Sequence, residues 1–164
     1  MSTVEYRYTI DSQMDPTSMQ QLLQQSRYTG LLRIFDIQGD IDREVNYVNG
    51  VLHGQFTYWS GRNGQINNYI EYTCNYEHGL LEGEYKEFTD SGEVQSQVMY
   101  RKGLREGEWT TYYDSGEIES VSHYVNGNLE GVEQVFFESG VPRSERHFQG
   151  GKATGTIKIW DEDG

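Results

Sequence analysis

Four histidines, a single cysteine and three Asp/Glu-Ser-Gly tripeptides are the residues whose types and spacing invite chemistry in this 164-residue chain. His123 and His147 stand one fixed interval apart with Glu119 and Glu145 near them, the imidazoles and carboxylates a metal site would use. Ser91, Ser115 and Ser139 each lie between an acid and a glycine, in the position of nucleophiles that His123 would activate. Cys74 is a thiol with no second cysteine, and Glu117 with Glu119 is a carboxylate pair of the kind used in acid–base catalysis. Each reading stands or falls with the elements that carry these residues.

Those elements are set by an internal repeat. Gly79, Gly103, Gly127 and Gly151 are spaced 24 residues apart, as are Gly83, Gly107, Gly131 and Gly155, and Gly92, Gly116, Gly140 and Gly164. Tyr76, Tyr100, Tyr124 and Phe148 form a fourth column. Tyr47, Gly50, Gly54 and Gly64 open an earlier unit with five extra residues before Tyr76, and Gly30 with Gly39 begins one before that. The frame thus covers about five and a half units from residue 28 onward.

The glycines read as turns. Asp90–Gly92, Asp114–Gly116 and Glu138–Gly140 suit three-residue hairpin loops closed by a left-handed glycine. Asn49-Gly50, His78-Gly79, Lys102-Gly103, Asn126-Gly127 and Gly150-Gly151 suit two-residue turns of type I′, in which both residues take positive φ. The middle glycine, such as Gly107, falls inside a strand and suggests a bulge. On the strands between, Val94, Ser96, Val98, Tyr100, Ile118, Ser120, Ser122 and Tyr124 share one face, and Glu93, Gln95, Gln97, Glu117, Glu119 and His123 the other. Five residues after each middle glycine comes a ring (Phe35, Trp59, Phe88, Tyr112, Phe136, Trp160), and two after it a large apolar residue except at Glu133. Such rings form ladders across a single-layer sheet.

On this scaffold the chemistry recedes. Residues one hairpin apart sit roughly 9.6 Å from each other, so His123 and His147 do not share an ion held at about 2.0–2.3 Å. The serines are hairpin-loop residues without the G-x-S-x-G strand–turn–helix setting. His53 and His78 are turn residues, and Cys74 lacks the electropositive setting of a reactive thiol. The evenly spaced glycines do not make a phosphate loop or a dinucleotide fingerprint. No catalytic residue, metal or cofactor is expected, and the chain is read as a non-enzyme.

The frame G-x-x-x-G-x-aromatic-x-x-aromatic-x-x-x-G-x-x-x-x-x-x-x-Y resembles the MORN-variant repeat, found in many bacterial proteins including some labelled as antitoxin components. The resemblance covers residues 47–164 and part of 28–46. It implies an all-β fold: an elongated, twisted, single-layer antiparallel sheet of successive hairpins with a 24-residue period. The departures are the expansion at 55–75, Glu133 in an aromatic column, and Pro142, which removes a ladder donor and should mark a local irregularity.

Residues 1–27 lie outside the frame and read as an N-terminal strand ("VEYRYTI") and a capping helix over 16–26. Asp15 is its N-cap, Pro16 its first residue, and Met19, Leu22 and Leu23 its apolar stripe. The repeat domain is 28–164. The expectation is that the helix shields the exposed end, or one face, of the first hairpins.

Composition narrows the function. A formal charge of −13, from 26 acidic and 13 basic residues, disfavours nucleic acid and anionic membranes and favours a basic partner. The lone cysteine and the absence of a signal-like N-terminus lead to a cytoplasmic expectation. The leading reading is a non-enzymatic protein-binding module of the antitoxin or immunity type, covering a basic toxin or effector by direct contact, as a monomer or small homo-oligomer. Its candidate contacts are Asp40, Asp42, Glu44, Glu93, Glu117 and Glu119, with Tyr113 and Phe137 as exposed aromatic anchors. The alternatives are a structural scaffold or oligomerisation element, and a phage-type inhibitor of a host defence protein.

Overall fold

The structure is a computed structural model describing residues 6–9, 16–36, 38–60 and 69–163, with backbone alone for 6–9 and 16–19. The chain falls into two compact units, Met1–Glu82 and Gly83–Gly164. The first holds β1 (Tyr6–Thr9), α1 (Pro16–Gln25), β2 (Gly30–Phe35), β3 (Ile41–Val48), β4 (Val51–Ser60), β5 (Tyr69–Glu77) and the short β6 (Leu80–Leu81). The second holds β7 (Gly83–Phe88), β8 (Val94–Arg101), β9 (Leu104–Tyr112), β10 (Ile118–Val125), β11 (Asn128–Leu129), β12 (Gly131–Phe136), β13 (Pro142–Gln149) and β14 (Lys152–Ile159). From β2 onward the strands within each unit pair antiparallel in chain order, so the fold is all-β with one short helix, an open hairpin-repeat sheet.

One pairing departs from the antiparallel expectation. β1 runs parallel to β2, with Tyr6 opposite Leu32 and Thr9 opposite Phe35. Parallel neighbours need a crossover connection, and α1 lies in that crossover. The helix ends on the first two-residue turn: a Cβ at Gly50 would overlap the carbonyl of Leu23 and the backbone of Gln24. Leu23 is half-buried there while Leu22 is exposed, so the expected apolar stripe is only partly used. Asp15 lies outside the described residues, as does the side chain of Met19.

The two-residue turns have positive φ at both positions, from Asn49 (53°) and Gly50 (78°) to Asn126 (49°) and Gly127 (81°). The three-residue loops close as expected: the Gly116 amide donates to the Tyr113 carbonyl, and the Tyr113 amide to that of Glu117, with Gly116 at φ 86°. Gly107, at φ 82°, sits in a true bulge, because Met99 faces Glu106 whereas Val98 faces Trp109.

A second bulge recurs at the loop end of every hairpin. Phe35 faces Ile41 while Ile34 faces Arg43, leaving Asp42 over; Glu71, Gln95, Glu119 and Arg143 occupy the same slot. Strict alternation therefore fails there, and Glu119 does not continue the row begun by Glu117. Pro142 is not a special irregularity, since the slip beside it is the one every hairpin has. It opens β13, a position where a missing N–H costs no ladder bond.

Neighbouring hairpins are stitched at the two-residue turns. The turn glycine donates sideways to the preceding hairpin: Gly79 to Leu52, Gly127 to Arg105 and Gly151 to Leu129, each at 2.9 Å. In the second unit a carboxylate adds a further bond, Glu106 Oε2 accepting the Asn126 amide at 2.8 Å and Glu130 Oε2 that of Gly150 at 2.7 Å.

The face expected to be apolar is the sheltered one. Leu32, Ile34, Val45 and Cys74 are buried on it in the first unit, and Ser96, Val98, Ser122 and Tyr124 in the second. Rings two after the middle glycine meet the tyrosine column edge-on or tilted: Phe56 with Tyr76, Tyr85 with Tyr100 and Trp109 with Tyr124, at 5.9, 5.8 and 5.7 Å. The rings five after the glycine fall on the opposite face, where the Tyr112 hydroxyl accepts from Gln97. That face also shelters Thr57 and Thr110 at mid-strand.

Three outcomes follow. Glu106→Ala or Glu130→Ala removes one charge-assisted bond, and urea denaturation should show a loss of about 1 kcal/mol for each. Burial leaves the Cys74 thiol 2% exposed and pushes it from 9.0 up to about 11. A disulfide-exchange reagent at pH 8 should therefore leave it unmodified until the protein unfolds. Between pH 9 and 11 the native thiol keeps a proton the unfolded chain loses, so this residue's contribution to stability falls as pH rises through that window.

Candidate functional site

The expected contact residues divide between the two units. In the first unit Asp42 pairs with Arg43 at 2.6 Å and Glu44 with Arg33, so both carboxylates are already neutralised by neighbours. Asp40 is exposed at the loop end, its amide held by Asp36 Oδ1. In the second unit Glu93 and Glu117 are exposed at equivalent places in successive three-residue loops. Glu119, in its bulge, accepts the Thr111 hydroxyl at 3.1 Å. Tyr113 and Phe137 are half-buried rather than exposed: the Tyr113 hydroxyl donates to the Phe136 carbonyl at 2.7 Å, and the Arg143 guanidinium lies 5.6 Å over the Phe137 ring.

What the fold does bring together is a longer row than the sequence reading named. The meander returns every three-residue loop of the second unit to the same edge. Asp90, Glu93, Asp114, Glu117 and Glu138 are exposed there, with Asp161, Glu162 and Asp163 after β14. Segments 89–93, 113–117, 137–141 and 160–163 contain no Lys or Arg. Successive loops are two strands apart, roughly 9.6 Å, about one screening length in physiological salt. The acids therefore repel one another, and the row is predominantly negative, with Arg143 over Phe137 the cation beside it. One of them is engaged locally, Ser139 Oγ donating to Glu162 at 2.8 Å. The two-residue turns on the other edge carry Arg101, Lys102 and Lys152 beside the engaged Glu106 and Glu130.

The two faces of the second unit differ from both edges. On the sheltered face the Arg105 guanidinium lies 4.7 Å over Trp109 and 5.3 Å over Tyr124, and it donates to the hydroxyls of Tyr100 and Tyr124. On the opposite face Glu84, Met99, Glu108, Gln97 and Thr110 line a shallow groove across β7, β8 and β9. Further along, Lys158 and Gln134 hydrogen-bond Glu145 and His147 lies 3.5 Å from it; the bond from Lys158 is the main reason this carboxyl is held below its usual range. His147 is thus part of an exposed ion cluster, separated from His123 by a full hairpin. Among the described residues no three His, Cys, Asp or Glu side chains are grouped to hold a metal. No helix among them is long and apolar enough to cross a membrane.

One contact escaped the sequence reading. His53 and His78 are both expected as turn residues; His53 instead lies in β4, and the two rings have centres 5.6 Å apart at 60°. The signal was in the repeat: Glu106 and Asn126, or Glu130 and Gly150, are bonded partners 20 residues apart, and His53 and His78 hold those two columns with the five-residue expansion between them.

No curated protein matches the chain. The family model described as the MORN repeat variant matches three times, over residues 81–102, 105–126 and 129–149. MORN repeats are non-catalytic modules that commonly bind proteins or membranes. Each match takes in one three-residue loop and the two strands it joins, and stops at the next two-residue turn. Residues 81–149 therefore carry three repeats of the MORN variant type in succession.

Proposed function

We propose that this chain is a non-enzymatic binding protein of the antitoxin or immunity type, which grips a basic protein through the acidic loop edge of its second unit. The observation that carries the reading is the row from Asp90 through Glu138 to Asp163, exposed and free of basic residues within its loops. Bringing lysines or arginines against it relieves the mutual repulsion of the acids and speeds encounter, with a strong dependence on salt. Tyr113 and Phe137, half-buried at the bases of their loops, supply ring edges beside the charges rather than protruding anchors. The non-catalytic character of the MORN repeat fits a chain that acts by occupying a surface. On this reading the protein works in the cytoplasm, against a toxin or effector whose own function needs a positive surface.

The test is co-expression with the product of the adjacent reading frame, followed by pull-down at low and high salt. Retention should fall as salt rises. It should be lost in a variant carrying Glu93→Gln, Asp114→Asn, Glu117→Gln and Glu138→Gln, all in exposed loops outside the turn-stitching bonds. Retention that survives these four changes, or strengthens with salt, overturns the reading.

A second reading, self-association as a scaffold, is favoured by one observation: every residue of β14 is exposed, with Ile157 at 44% and Ile159 at 70%. Light scattering decides it. A monomer at all concentrations leaves the binding reading, and a defined oligomer abolished by Ile159→Lys supports the scaffold.

A further inference from the structure

The turn-edge rung at His53 and His78 is built from different chemistry than its neighbours. At three other rungs the residue before the middle glycine reaches the first residue of the adjoining two-residue turn. Thr29 Oγ1 accepts the Asn49 amide at 2.8 Å, and Glu106 and Glu130 accept the amides of Asn126 and Gly150. His53 precedes Gly54 and His78 opens the next turn, so these residues stand at the same two positions. There the acceptor–amide pair gives way to two imidazole rings side by side.

We propose that His53 and His78 form a cross-strand two-histidine site for a divalent first-row transition ion such as Zn2+, Ni2+ or Cu2+. Imidazole nitrogen is the donor these ions favour. With metal–nitrogen distances of about 2.0–2.1 Å, two imidazoles sharing one ion hold their ring centres about 5–6 Å apart; the rings here are 5.6 Å apart and inclined rather than stacked flat. Both backbones are fixed independently of any ion. His78 sits at φ 50° in a turn whose Gly79 amide is bonded to Leu52, and Gly54 at φ 90° sets the strand that carries His53. His78 is exposed and His53 half-buried, so water fills the open coordination positions. No third His, Cys, Asp or Glu joins the pair among the described residues, which makes this an exchangeable surface site rather than a closed structural one. Two nitrogen donors and water select against Mg2+ and Ca2+, which take oxygen ligands, and rank the ions with Cu2+ first. The formal charge of −13 raises the local concentration of any cation. The bound ion cross-links the β4 strand to the β5–β6 turn, doing across this rung what Glu106 and Glu130 do across theirs.

The experiment is calorimetric titration of the full chain with Zn2+, with Mg2+ as the comparison ion, together with imidazole NMR of the parent. Zn2+ should bind at one equivalent, shift the resonances of His53 and His78 but not those of His123 and His147, and raise the melting temperature of the parent. His53→Gln and His78→Gln should each abolish the one-equivalent step, and the double variant His123→Gln/His147→Gln should keep it. Zn2+ binding unchanged in either single variant, lost in the double variant, or leaving the His53 and His78 resonances unmoved in the parent overturns the site. The NMR arm uses the unmodified chain, so a variant that fails to fold does not rescue the proposal. Neither arm involves the acidic edge, and either idea fails without the other.

Discussion

A single-layer sheet has no second layer to bury its apolar face against, and most of this molecule follows from that shortage. Each side chain must find shelter among those beside it on the same face. Large flat groups on adjacent strands cover one another well, which is why rings and their tyrosine partners recur at 5.7–5.9 Å beside the buried aliphatic residues Leu32, Ile34, Val45 and Val98. Arg105, spread over Trp109 and Tyr124, serves the same end by laying its planar guanidinium across rings that would otherwise face water. The small residues Ser96 and Ser122 then lie under their larger neighbours, and Ser96 bonds Glu87 at 2.7 Å so that its hydroxyl is satisfied in the shelter.

The same shortage moves much of the cohesion to the turns. A strand pair alone is marginal in water, so the sideways bonds from Gly79, Gly127 and Gly151, and the carboxylate bonds from Glu106 and Glu130, join each hairpin to the next at the edge where backbone groups would otherwise face solvent. With one edge committed to stitching, the opposite edge is left for loops whose sequence is constrained only at the glycine. There acids accumulate, and the division of labour between edges gives the second unit a polarity of charge that its composition alone does not reveal.

How much of this the sequence carried depends on the range of the interactions. Turns were legible because positive φ is a local demand that only a few residues meet, as at Asn126-Gly127. The ring ladder was legible because period-two alternation is local too. The loop-end bulge was not: nothing in Ile118, Glu119 or Ser120 announces an extra residue, since the slip depends on how the three-residue loop feeds the partner strand. For that reason Glu119 was placed on the wrong row. Asp42 and Glu44 were read as free acids because their arginines, Arg43 and Arg33, are recognised as partners only once the register is known. The parallel pairing of β1 is a tertiary choice set by the crossover through α1. The contact between His53 and His78 was encoded as a column relation, and the five-residue expansion disguised it.

That column relation also bears on how such a chain changes in length. In the second unit the carboxylate bonds of the stitched rungs join residues 20 apart and the backbone bonds residues 22 apart, inside a 24-residue period. Copying or deleting a whole repeat moves both partners together and leaves every junction with a matching pair, Glu106-type acceptor against Asn126-type amide. Gene-level slippage by multiples of the period therefore keeps the seams matched, and the intact Gly79–Leu52 bond across the five-residue expansion shows that extra residues away from the turns are absorbed as well. The inventory of loops on the acidic edge can grow or shrink by one without redesign of the rest, and the length of that edge becomes a quantity that heredity adjusts in whole steps.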